Sequence, residues 1–115
     1  MVNISSQQIE IVRQFEKALI DRNYQLISQE AGMGRVTASE IDQAIEEYGG
    51  VITIAPNSIF DDFKIIQVKD TDKPTWAVDF DLWIDNKKSD LTMQIDIIQY
   101  GPGNLKGYFH DIHVL

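Results

Sequence analysis

Trp76-Ala-Val-Asp-Phe-Asp-Leu-Trp-Ile84 reads as one long strand, and the rest of the chain is arranged around it. Strand side chains alternate with a period of two. Trp76, Val78, Phe80, Leu82 and Ile84 therefore share one face, and Ala77, Asp79, Asp81 and Trp83 share the other. The apolar face is the natural core face. Asp is depleted in strands, so two of them beside a tryptophan mark a second face with demands of its own.

Working outward, Asp85-Asn86-Lys87-Lys88 forms a hairpin loop. Residues 89–100 make the partner strand, with Leu91, Met93, Ile95 and Ile97 on one face. Gly101-Pro102-Gly103-Asn104 turns the chain again, and residues 105–114 are the last strand. Upstream, residues 51–54 are a short β-branched strand closed by Pro56-Asn57-Ser58. Residues 59–62 fit a single helical turn, 63–69 alternate as a strand, and 70–74 turn.

The N-terminal half follows a helical period instead. Ser5 and Gln8 fit a capping box, with Ile4 and Ile9 as its staple. Ile9, Val12, Phe15 and Leu19 then form an apolar stripe. Asp21-Arg22-Asn23 interrupts it, residues 24–30 read as a shorter second helix, and Gly32-Met33-Gly34 ends that. Thr37 and Glu40 make another capping box, with Val36 and Ile41 as its staple. Ile41, Ala44, Ile45 and Tyr48 form its buried stripe, and Gly49-Gly50 stops it. Glu46 and Glu47 stand in its last turn against the dipole preference. After Glu47 every acidic residue is Asp, which marks the passage from helices to strands.

Helices first and hairpin-linked strands afterwards imply an α+β fold: helices over 5–48 packed on one face of a curved antiparallel sheet over 51–115. At 115 residues the chain fits one domain, 1–115. No cysteine is present, which excludes a disulfide framework, a thiolate zinc site and a thiol nucleophile. There is no signal-peptide pattern and no apolar run long enough for a membrane span, so the expectation is a soluble cytoplasmic protein. A net charge of −8 with no Lys/Arg stripe argues against nucleic acid and towards solubility or a basic partner.

Phe15-Glu-Lys-Ala-Leu19 followed by Asn23-Tyr24-Gln-Leu-Ile27 resembles the opening of nuclear-transport-factor-2-like (SnoaL-like) proteins, within the cystatin-like fold. That resemblance implies a broken first helix closing one end of a cone over a curved sheet. The chain is shorter than that pattern, and the hairpin expected before the third helix is missing. Trp76 with Val78, Asp81-Leu-Trp83, Ser89-Asp-Leu-Thr92 and Asp111-Ile-His-Val-Leu115 resemble a small bacterial family of uncharacterised single-domain proteins, which implies no activity.

Asp79 and Asp81 share one face, and Thr92, Gln94 and Asp96 share a face of the next strand. With ordinary hairpin register these faces coincide. Clustered carboxylates can bind Mg²⁺ or Ca²⁺, or raise one another's pKa. The plainer reading is a wet sheet face, and the loop spacing of a calcium site is absent. A spacing of three puts His110 and His113 on opposite faces of a strand, so a shared metal is not expected. His110, on the side of Tyr108, Ile112 and Val114, is either a structural histidine or an acid–base group paired with a neighbouring Asp. His113, beside Asp111, reads as a surface or edge residue. Trp83 on the acidic face is either a binding anchor or covered by another element. Gly32-x-Gly34 lacks the strand and Lys of a phosphate loop, and no serine sits in a nucleophile elbow.

The expected site is therefore Asp79, Asp81, Trp83, Asp96 and His110, with no catalytic residue, metal or cofactor assigned. The leading functional expectation is a non-catalytic protein-binding domain, in analogy with acidic immunity proteins. The alternative is an NTF2-like small-ligand carrier or pocket enzyme. It would use His110 and an Asp in a cavity lined by Phe15, Leu19 and Trp83. The resembled class also implies a homodimer through the sheet.

Overall fold

The computed structural model describes residues 4–24, 37–61 and 64–114. In chain order these form α1 (Ile4–Ile20), α2 (Ala38–Tyr48), β1 (Ile52–Thr53), a 3₁₀ turn (Asn57–Asp61), β2 (Lys64–Val68), β3 (Thr75–Ile84), β4 (Lys87–Gly101) and β5 (Asn104–Val114). The short helix read over 24–30 and its Gly-x-Gly ending lie almost wholly outside the described residues, as does Val36 of the staple.

β3 is the centre of the sheet. It pairs antiparallel with β4 along one side, and with β1 and β2 end to end along the other, while β5 follows β4 as the outer strand. The alternation read in β3 holds. Val78, Phe80, Leu82 and Ile84 are buried, and Leu91, Met93, Ile95 and Ile97 of β4 lie buried beside them. Phe109 and Ile112 of β5 complete this inner face. The fold is α+β, with two helices and a five-stranded antiparallel sheet among the described residues.

The β3–β4 hairpin is tighter than a four-residue loop. Asp85 and Asn86 both take positive φ (51° and 65°), as a two-residue type I′ turn requires, so β4 already starts at Lys87. Extra residues of β4 then bulge opposite Leu82. Ser89 Oγ fills the gap, donating to Leu82 O at 2.5 Å and accepting from Leu91 N at 3.2 Å.

α1 covers the inner face with Val12, Phe15, Ala18 and Leu19. Its stripe starts at Gln8, which is buried, while Ile9 is only half-buried. Ser5 lies inside the helix rather than at its cap. Phe15 packs on Phe109 with ring centroids 6.0 Å apart. Gly107 lets the helix come this close: a Cβ there would stand 2.4 Å from Ile11 Cγ2 and 2.7 Å from Phe15 Cε2.

α2 has the capping box read from Thr37 and Glu40, in both directions. Ile41 and Ile45 are buried. Gly49, at φ 88°, ends the helix and donates its N–H to Ile45 O. Tyr48 is not part of the buried stripe; it is exposed and its hydroxyl donates to Asp90 Oδ1 at 2.6 Å. The acidic last turn of α2 is offset from elsewhere: Arg22 places Nη1 2.6 Å from Glu46 Oε1 and 3.0 Å from Asp42 Oδ1. Tyr24 also donates to Asp42. Its burial, with that hydrogen bond, pushes the phenol up to about 12.

One buried ion pair joins α1 to the segment after β1. Glu16 has a side chain only 1% exposed. Its Oε1 accepts from Arg13 Nη1 at 2.6 Å and its Oε2 from the Ala55 N–H at 2.9 Å. Arg13 Nη2 donates to Asn57 Oδ1 at 2.8 Å, and the guanidinium lies 4.5 Å from the centre of the Phe60 ring. Phe60 in turn stacks on Phe80 of β3. Among the described residues no helix is long and apolar enough to cross a membrane.

Candidate functional site on the outer sheet face

The side of the sheet turned away from the core residues carries the polar positions of β3, β4 and β5. The register sets Asp79 opposite Gln94, Asp81 opposite Thr92, and Ala77 opposite Asp96. The coincidence of polar faces expected from ordinary hairpin register is therefore present. Contacts follow the register. Thr92 Oγ1 donates to Asp81 Oδ1 at 2.7 Å, and Gln94 Nε2 donates to Asp79 Oδ1 at 3.2 Å. Lys88 Nζ lies 3.7 Å from the second oxygen of Asp81.

β5 departs from regular alternation. Gln94 faces Asp111 and Ile95 faces Phe109, so His110 is an extra residue on β5, a β-bulge. The expectation that His110 and His113 lie on opposite faces fails for this reason. Both reach carboxylates of the outer face: His110 Nδ1 lies 3.5 Å from Asp96 Oδ2, and His113 Nδ1 lies 3.3 Å from Asp111 Oδ2. His110 also parts company with Ile112, which is buried on the inner side. Asp111 and His113 thus join the cluster although the alternation put them on the other side from His110, while Tyr108 stays on the side read for it. A signal for this was present: Phe109 and Ile112, three apart, can both be buried only if the strand gains a residue between them.

Beyond Asp96 the face becomes aromatic. Tyr108 faces Asp96 in register, and its hydroxyl lies 2.6 Å from that of Tyr100. This hydrogen bond, with some burial, raises the Tyr108 pKa. Lys73 and Lys106 both stand within 6 Å of the Tyr100 ring centre, at 5.7 and 5.8 Å.

Trp83 is half-buried and packs against the edge of the core cluster. Its Nε1 is enclosed and has no hydrogen-bond partner among the described residues. It is therefore partly a packing residue, and its truncation would disturb the fold as well as the surface. Thr92 is fully buried within the polar face. Thr92→Val keeps its shape and removes the hydroxyl that bridges to Asp81. Urea unfolding of this variant is expected to show a loss of about 1.5–3 kcal/mol, the worth of one charge-assisted hydrogen bond.

The arrangement presents carboxylates and imidazoles on an open surface. Two surface hollows, of about 470 Å³ along residues 67–74 and about 200 Å³ beside Gln7, Ile11 and Leu105, lie away from His110 and Asp96. Among the described residues no three His, Asp or Glu side chains converge in a way that would hold a metal ion.

A family described as a domain of unknown function (DUF7668) matches residues 17–115. The chain belongs to this family. The DUF7668 match contains all five strands, α2, and the whole of the outer face, and it begins inside α1. Comparisons with curated proteins and with solved structures find no match.

Proposed function

We propose that the chain is a non-catalytic protein-interaction domain of the cytoplasm, and that its outer sheet face receives a basic partner protein. The observation that carries this reading is the composition of that face. Four carboxylates, Asp79, Asp81, Asp96 and Asp111, lie together on it, half-exposed and bordered by Tyr100, Tyr108 and Trp83. Tyrosine and tryptophan are common binding anchors, and the carboxylates beside them would select a partner of opposite charge. The net charge of −8 would also speed encounter with a cation-rich partner. Acidic immunity proteins that neutralise basic toxins are the functional analogy.

The test is affinity capture from the source cell with the wild-type chain and an Asp79→Lys/Asp96→Lys double variant. A basic protein should be retained by the wild type and lost by the variant and in high salt. Capture that survives the charge reversal rejects the reading.

A second reading, a pocket protein using His110 and an Asp, has the 3.5 Å His110–Asp96 contact in its favour. Against it, Phe15 and Leu19 are packed into the core while His110 reaches across the outer face, so these side chains do not line one cavity.

A further inference from the structure

Both histidines of the chain stand in the carboxylate face, and each has a carboxylate oxygen beside its Nδ1. His110, on the bulge of β5, reaches across to Asp96 of β4 at 3.5 Å. His113 reaches Asp111 of its own strand at 3.3 Å. The Asp111 carboxylate is held from its other end, where Oδ1 accepts the Ile112 N–H at 2.8 Å, and this leaves Oδ2 for the ring. The bulge is what gathers the two imidazoles, since residues three apart on a regular strand face opposite ways. Both rings are open to water, with side chains 39% and 38% exposed, so they exchange protons with the medium.

Histidine is the side chain that ordinarily changes charge between about pH 5 and 8. Carboxylates and ammonium groups ordinarily titrate outside that span. Among the described side chains the other charged groups of the face are Asp79 and Asp81 on β3, Lys88 on β4 beside Asp81, and Lys73 and Lys106 at the Tyr100 end. Tyr108, raised by its hydrogen bond to Tyr100, stays neutral throughout. The imidazoles are therefore the groups that vary. Two protons placed on them stand against two of the four carboxylates, Asp96 and Asp111.

We propose that His110 and His113 make the outer face a pH-gated surface, which holds a cationic partner at neutral to alkaline pH and releases it on acidification. This rests on the reading of the face as the receptor for a basic protein. Near pH 8 both imidazoles are neutral and the carboxylates act on the partner unopposed by them. On acidification each imidazolium cancels the carboxylate at its side and repels the incoming cations. Linkage makes the effect reciprocal: a cationic partner that binds must expel the same protons.

The probe is a peptide of about ten lysines, which keeps its charge from about pH 5.5 to about pH 8. Its binding to the whole chain is measured by titration calorimetry at low ionic strength, where exposed charges are weakly screened. From the higher pH to the lower, the wild type should lose about 2- to 30-fold in affinity, the weight of two exposed charge pairs. His110→Gln/His113→Gln alters two exposed positions and should keep the circular dichroism spectrum. It should match the wild type at the higher pH and bind equally at the lower. In buffers of different ionisation heat between these limits, the wild type should release protons on binding the probe and the double variant should not. Equal wild-type affinity at both pH values overturns the gate, and so does an undiminished pH effect in the double variant. Asp79→Lys/Asp96→Lys separates this inference from the reading beneath it. Probe binding that this variant abolishes, but that does not vary with pH in the wild type, removes the gate and leaves the acidic receptor face. A probe that fails to bind the wild type at the higher pH, or binds the charge-reversed chain equally well, removes both.

Discussion

Arg13→Ala is expected to destabilise the chain by about 3–5 kcal/mol, the cost of breaking a buried ion pair from one side. Glu16 would keep its near-complete burial and its bond from the Ala55 N–H, but would lose the cation at 2.6 Å. Asn57 would lose its donor and Phe60 the guanidinium on its ring. The damage falls on the link between α1 and the β1–β2 connection. A double variant, Arg13→Met/Glu16→Leu, removes the stranded carboxylate and should recover part of the loss. It cannot recover all of it, because the Ala55 N–H is left without an acceptor, at about 1–3 kcal/mol. Chemical denaturation of the three proteins measures the order. If Arg13→Ala costs less than the double variant, the ion pair is not what holds this junction.

Gly107→Ala is the second large effect. The added methyl would meet Ile11 and Phe15 at 2.4 and 2.7 Å, and both belong to the helix that covers the sheet. Overpacking of this kind costs about 1–3 kcal/mol, and Gly107→Val should exceed that range. Gly107 does not sit at positive φ, so backbone strain is not the cause. Ile11→Ala in the same chain should relieve one of the two clashes. Gly107→Ala/Ile11→Ala is therefore expected to be more stable than the sum of the single effects, with a coupling of about 0.5–3 kcal/mol. Thermal or urea unfolding of the four-member cycle gives the coupling. Strict additivity would mean that α1 yields to the methyl without using Ile11.

Both effects were invisible to pattern reading, for related reasons. Glu16 and Lys17 follow one another in α1, and the apolar stripe of Ile9, Val12, Phe15 and Leu19 includes neither. Only the arrival of Ala55 and Asn57 from beyond β1 makes one of them a buried anchor. Gly107 falls within the strand read over 105–114 with nothing to single it out, and its role depends on which residues of α1 cross it. The outer face was legible in part. Asp79, Asp81, Thr92, Gln94 and Asp96 follow from alternation and hairpin register alone. His113 and Asp111 do not, because one inserted residue reverses the parity of everything beyond it. Trp83 shows the same limit, since a face can be assigned by parity but the extent of cover over a large ring cannot.

By itself the sequence determined what repeats at short range. The 3.6-residue stripe of α1, the capping box and glycine stop of α2, and the two-residue alternation of β3 each record a local rule. Together they require helices on one face of an antiparallel sheet. Tertiary structure alone decided the pairing of β1 and β2 end to end on β3 and the bulge that turns both histidines to the outer face. It also decided the burial of Glu16. These depend on contacts between residues 7 to 39 positions apart, and the free energy of such a contact belongs to the pair that meets, not to the sequence around either member.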